Sequence, residues 1–195
     1  QEQGFGTPQE ELEAWLAEQD WQAGGDPAAL SSGAARLMAQ GWQAQAARDA
    51  LALPEPAFSQ ALAELGPDPA LLAARFGADV LAAFRRIALR NQSQAGLVIC
   101  DASGTLTFRK PVPGFALPRF GAACPLWPLF AVLARPSSPM ECVIETAGPN
   151  PHRFLVRAFG QPRVPGGFRG PELREAARLI LPAPMAAAEA RAVGS

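Results

Sequence analysis

The stretch Leu97-Val98-Ile99-Cys100-Asp101-Ala102-Ser103-Gly104-Thr105-Leu106-Thr107-Phe108 decides how the chain is read, because helical texture gives way to strand texture there. Apolar and β-branched residues flank a turn rich in Asp, Ser and Gly, which is the signature of a β-hairpin. Upstream, Leu12, Trp15 and Leu16 recur at helical spacing after Thr7-Pro8, predicting a helix near residues 8–20. Ser31 or Ser32 caps a second helix containing Ala35, Leu37, Met38 and Trp42, with Gly41 weakening its middle and Pro54 and Pro56 ending the segment. Phe58, Leu62 and Leu65 mark a short third helix closed by Gly66-Pro67, and Pro69 opens a fourth that Gly77 divides. Downstream, residues 125–133 read as a short helix, 142–145 and 154–159 as strands, and 172–178 as a helix. The fold class expected is therefore α+β: a helical N-terminal subdomain over 1–92, an antiparallel-sheet domain with short helices over 93–183, and a loose tail over 184–195.

A chain of 195 residues with 49% hydrophobic and 18% charged residues can bury a core without disulfides or metals. Its net charge of −1 conceals a division. Residues 1–84 carry twelve acids and three bases, 85–135 one acid and seven bases, and 136–195 five acids and seven bases. Like charges concentrated in this way need compensating anions, either the acidic front of the same chain or a phosphate-bearing ligand. Sixteen Arg against the single Lys110, with abundant Ala and Pro, suggest a GC-rich bacterial genome more than any chemistry. No apolar run approaches the roughly 20 residues that span a bilayer, and no secretory leader is visible, so a cytoplasmic protein without membrane contact is expected. Cys100, Cys124 and Cys142 are odd in number and widely spaced, which fits free thiols better than a disulfide framework or zinc knuckle.

Several chemistries lack their parts. His152 is the sole histidine, no Gly-x-Ser-x-Gly elbow exists, and neither Gly-x-Gly-x-x-Gly nor a Walker phosphate loop is present. The reading is of a protein that is not an enzyme and holds no resident cofactor or metal. The turn Phe76-Gly77-Ala78-Asp79 has the form of a helix-turn-helix connection, but the following helix offers DNA only Arg85, Arg86 and Arg90. Pro125 suits the first position of a helix, which would make Cys124 its N-cap, where unpaired N–H groups lower a thiol's pKa. A reactive Cys124 and a packed Cys124 both remain open.

From about Leu71 to Leu181 the chain resembles the C-terminal portion of the short-chain fatty acyl transcriptional regulators, within the helix-turn-helix repressor-like regulators of bacteria. Three pieces carry the likeness: Leu72-Ala73-Ala74-Arg75-Phe76 running to Phe84-Arg85-Arg86-Ile87-Ala88; Cys100-Asp101-Ala102-Ser103-Gly104 with Arg109-Lys110; and Phe115 through Pro118-Arg119-Phe120-Gly121-Ala122-Ala123-Cys124-Pro125-Leu126-Trp127. The resemblance implies a region over 93–183 that senses a short-chain acyl-coenzyme A, in a homodimer or higher homo-oligomer. Operator DNA would be met only through a helix-turn-helix module not seen in the acidic first 84 residues. It places Asp101, Arg109, Lys110, Phe115, Arg119, Cys124 and Trp127 at the ligand. Arg and Lys there suit phosphates, and Phe and Trp suit an acyl chain. A thiol- or haem-responsive sensor centred on Cys124, and a purely structural oligomerisation module, are the other readings.

Overall fold

In the computed structural model, residues 4–182 are described, apart from 23, 125, 126, 148, 165, 169 and 171. The helices precede the sheet, as the change of texture near residue 95 predicts. Thr7 caps α1 (Pro8–Glu18) by accepting from the Glu10 N–H, with Pro8 in the first turn, where a missing N–H costs nothing. Ser32 caps α2 (Gly33–Ala52), which runs straight through Gly41. Then follow α3 (Ala57–Leu65), α4 (Pro69–Phe76) and α5 (Val80–Leu89), the last two capped by Asp68 and Asp79. Gly77, at φ 62°, ends α4 in the left-handed conformation that glycine adopts without strain.

Five antiparallel strands follow: β1 (Gly96–Asp101), β2 (Leu106–Lys110), β3 (Met140–Glu145), β4 (Arg153–Val164) and β5 (Leu173–Pro182), in the order β2-β1-β5-β4-β3. The hairpin of β1 and β2 forms where it was expected, with an irregularity. Ile99 pairs with Phe108 but Cys100 pairs with Leu106, so Thr107 is an extra residue. Such a bulge changes which face the following side chains take. It lets Phe108 join the helical core while Leu106 joins the opposite one.

The sheet is buried on both faces. Leu97, Ile99, Phe108, Phe159, Ala177, Leu179 and Leu181 pack against α1, α2, α4 and α5. Val98, Cys100, Val156, Ala158, Ala176 and Ile180 pack beneath the segment after β2 and α6 (Pro128–Ala134). Gly160 explains how α6 comes so close: a Cβ there would lie 2.4 Å from the Val132 carbonyl oxygen.

Two expectations are corrected. Residues 172–178 are not a helix but the start of β5, the central strand. Its Glu-Ala-Ala-Arg run has helical propensity, yet its backbone is paired on both sides by β1 and β4. A strand buried on both faces reads as a continuous apolar run instead of an alternation, so period alone misassigns it. The short helix begins at Pro128, with Trp127 as N-cap, so Cys124 is not a cap; the Pro125 on which that reading rested lies outside the described residues. So does the tail over 184–195.

Charge segregation along the chain resolves into pairing across the helix–sheet assembly. Arg85 donates to both carboxylate oxygens of Asp49 at 2.6 and 3.0 Å, wholly within the helical core. Arg86 pairs with Glu55, and Arg109 of β2 with Glu13 of α1. Seven of the ten residues of α5 are buried, Arg85 among them, so this helix has no free face with which to enter a DNA groove. Removing one partner of a buried pair leaves the other charge uncompensated. Asp49→Ala is accordingly expected to lower unfolding free energy by about 3–5 kcal/mol, seen as a reduced urea midpoint with an unchanged slope.

Candidate functional site

The centre of the second core is not apolar. Arg178 lies on β5, opposite Val98 of β1 and Ala158 of β4, and is 0% exposed. Its parity with Ala176 and Ile180 turns it away from the helices. Nε, Nη1 and Nη2 are all buried, and among the described residues none has a hydrogen-bond acceptor. What surrounds the guanidinium is aromatic: its carbon lies 4.4 Å from the Trp127 ring centroid and 4.9 Å from that of Phe115. Phe115 is held edge-on by Phe154 at 5.2 Å. Burial pulls the Arg178 pKa down to about 10, opposed by Cys142 and Cys124, which leaves the group charged at neutral pH. Desolvated cation–π contacts contribute about 2 kcal/mol or more and offset part of the several kcal/mol that burying an ion costs. The N–H donors stay unanswered.

The other buried cation is a control within the same sheet. Lys110, on the helical face, donates from Nζ to the carbonyls of Ala88, Ser93 and Ala95 at 2.7, 2.8 and 3.1 Å. Three donors meet three acceptors, tying the end of α5 to the start of β1. Burial pulls its pKa down to about 8, against an opposing pull from Asp20. Lys110 is thus satisfied by the fold, and Arg178 is not.

The remaining residues singled out in the sequence divide between these two settings. Asp101 organises the hairpin turn, accepting from the Ser103 and Thr105 N–H groups and the Ser103 hydroxyl. Burial raises its pKa, but these bonds outweigh that and lower it. Gly104, at φ 80°, closes the turn beneath Phe130, where a Cβ would meet the ring at 2.5 Å. Arg109 donates to Glu13 and to the Pro118 carbonyl, and its guanidinium lies 4.4 Å from the Phe120 ring centroid. Arg119 is exposed. Phe115, Cys124 and Trp127 are half-buried around Arg178. The structure therefore gathers Phe115, Cys124 and Trp127 at one point, with Arg109 and Arg119 on the same connecting segment or beside it, and sends Asp101 and Lys110 to structural tasks. Arg178 was missed because it sat in a segment read as helix; the signal available was an arginine inside an Ala-Leu-Ile run.

Open grooves lie elsewhere. A groove of about 850 Å³ lies between α2, α5 and the ends of β1, β2, β4 and β5. Its charges cancel, with Arg48, Arg85 and Arg163 facing Asp49, Asp79 and Glu175, so it has no unmet demand for an anion. A smaller recess of about 300 Å³ runs between α4, α5 and the β3–β4 edge, lined by Phe84, Met140 and Arg157. Among the described residues no cluster of three or more His, Cys, Asp or Glu could hold a metal, and no helix is long and apolar enough to cross a membrane.

No protein-family model matches the chain. It is 33% identical over 129 residues to the propionyl-CoA carboxylase regulator of Cereibacter sphaeroides, an alignment covering 64% of this chain and 28% of that protein. The chain thus spans under a third of that relative's length. Among solved structures it is similar to a Mycobacterium tuberculosis transcriptional regulator, with a TM-score of 0.69 and 24% identity over 96% of this chain and 59% of the other. That likeness shows a shared fold, and both relatives bear the name of regulators.

Two measurements test the contrast between the buried cations. Lys110→Met strands three carbonyls and is expected to destabilise by at least about 2 kcal/mol. Arg178→Met removes an unanswered charge and fills its volume, so ligand-free stability is expected to hold or rise by about 1–4 kcal/mol. Equal losses in chemical denaturation would refute the distinction. Thiol labelling gives a second check. Cys142 is exposed, Cys124 half-buried, and Cys100 buried with its pKa pushed up to about 12 by burial, then by Asp101. Labelling is expected in that order, with Cys100 reacting only on unfolding.

Proposed function

We propose that the chain is the ligand-sensing portion of a bacterial transcription regulator, that its effector is a short-chain acyl-coenzyme A, and that operator DNA is bound by a part outside the described residues. The observation that carries the reading is Arg178, buried with its guanidinium unpaired and walled by Phe115 and Trp127. A purely structural module gains nothing from such a charge, since a core residue of similar volume packs without the desolvation cost. Apolar walls around a small number of unanswered polar groups are what a small-molecule site requires. Arg119, on the segment between β2 and α6 that also carries Phe115 and Trp127, is exposed and would offer phosphates a cation.

The C. sphaeroides relative is named for propionyl-CoA carboxylase, an enzyme whose substrate is a short acyl-coenzyme A, which supports this effector class for the present chain. The buried α5 supports assigning DNA contact elsewhere, because Arg85 and Arg86 are occupied by Asp49 and Glu55. Ligand binding then acts by biasing two states of the assembled regulator. A coupling of about 1–3 kcal/mol between effector and DNA sites suffices for that.

Acetyl- or propionyl-coenzyme A at 100 times its dissociation constant is expected to stabilise the fold by about 2.7 kcal/mol, measured as a thermal shift. Arg119→Ala is the cleanest variant, because the side chain is exposed and its loss does not disturb the core. It is expected to weaken binding by up to about 1.5–3 kcal/mol by calorimetry if the contact is a charge-assisted hydrogen bond. No saturable heat with any ester, from protein shown to be folded, would sink the proposal.

A further inference from the structure

The chemistry of the ligand is constrained further by what Arg178 lacks. Every other buried charged group answers to a partner within the fold: Glu11 accepts from Ser31 and Ser32, Asp49 and Arg85 hold each other, and Lys110 meets three carbonyls. Arg178 alone of these five buried polar residues has no hydrogen-bonding partner among the described residues. A guanidinium cannot shed its proton at physiological pH, so neutralising the site means bringing in an anion. Its donors form a planar fork, which two oxygens of a carboxylate match bidentately. The aromatic rings of Phe115 and Trp127 engage the cation but accept none of these N–H bonds in the ordinary sense.

Charge also selects among anions. One buried positive charge is balanced by one negative charge, and among the described residues no second cation is grouped with it: Val98, Val156, Ala158, Ala176 and Ile180 are apolar, and Cys124 and Cys142 offer only thiols, weak donors at most. The diphosphate and 3′-phosphate of coenzyme A each bring more charge than this site can balance and suit exposed cations such as Arg119. A thioester carbonyl is neutral, so it can accept a bond but leaves the charge in place. The monoanion that fits is a carboxylate.

We propose that Arg178 is a receptor for a carboxylate at the free end of the effector's acyl group, so that the site is built for a carboxyacyl ester in preference to a simple acyl ester. This rests on reading the chain as an acyl-coenzyme A sensor. Phe115 and Trp127, the side chains over the guanidinium, are half-buried and so reach the surface, on whose side the phosphates would remain.

Malonyl- and acetyl-coenzyme A form the matched pair, differing only by the terminal carboxylate. Calorimetric titration of the full chain uses these two esters, free coenzyme A and free malonate, against wild type, Arg178→Met and Arg178→Lys. Wild type is expected to bind malonyl-coenzyme A about 10- to 100-fold more tightly than acetyl-coenzyme A, the span of one charge-assisted hydrogen-bonded pair. Arg178→Met is expected to abolish that preference, so that malonyl- and acetyl-coenzyme A bind it equally, and Arg178→Lys, which keeps charge but loses the fork, to retain part of it. Equal affinity of wild type for the two esters overturns the inference but leaves the acyl-coenzyme A reading standing. A preference that survives Arg178→Met also overturns it. Binding of free malonate that needs Arg178, with no ester binding, keeps the carboxylate receptor and removes the acyl-coenzyme A reading. No binding of any of the four removes both. Circular dichroism confirms that each variant is folded, and the wild-type comparison stands if one is not.

Discussion

A cation fixed in the central strand of a sheet buried on both faces is the constraint around which this molecule is arranged. β5 pairs with β1 on one side and β4 on the other, so its side chains have nowhere to go but into one core or the other. Of the five residues from Ala176 to Ile180, all but Arg178 obey that rule by being small or aliphatic. Long cationic side chains ordinarily escape such positions by extending to water. Arg178 does not reach it, and the aromatic side chains of Phe115 and Trp127 cover it from the segment leading into α6. The second core is consequently a place where folding leaves a whole guanidinium unanswered, whereas in the first core the buried charges of Lys110 and Arg85 meet three carbonyls and the Asp49 carboxylate.

The helical half supports this in two ways. It covers the other face of the sheet, so that the strand carrying Arg178 is held rigidly from behind by Leu97, Leu179 and Leu181. It also supplies the anions for much of the basic middle segment, through Asp49 to Arg85, Glu55 to Arg86 and Glu13 to Arg109. Charge that looks like a nucleic-acid or phosphate footprint along the chain is thereby partly spent within the fold. Arg178, inside, has no such anion, and Arg119 stands exposed outside. A site that rests on a rigid strand and is covered by a connecting segment has the layout expected when ligand contact must be converted into a change felt elsewhere in a larger protein.

How much of this was legible in the sequence depends on which physical signal each residue carries. Helix starts are local events, and Thr7, Ser32, Asp68 and Asp79 cap helices because a short oxygen-bearing side chain reaches the N–H two or three residues on. The hairpin turn is equally local, since Asp101 bonds to Ser103 and Thr105 within its own loop. The bulge at Thr107 was not legible, because it depends on which core each of two faces must fill. Phe115, Cys124 and Trp127 were picked out by resemblance, and the structure sets them together around a residue that the resemblance did not name.

By itself, then, the sequence determined the elements whose causes lie within a few residues: the caps, the breaks at Gly77 and the prolines, and the α-then-β order. Only the tertiary structure decided that Glu172 to Arg178 is a strand, because an Ala-rich segment has no strong preference of its own and takes its conformation from the backbones of β1 and β4 that bond to it. That decision carried Arg178 into the core. A buried charge without a partner is a relation between residues distant in the chain, and no local pattern contains it.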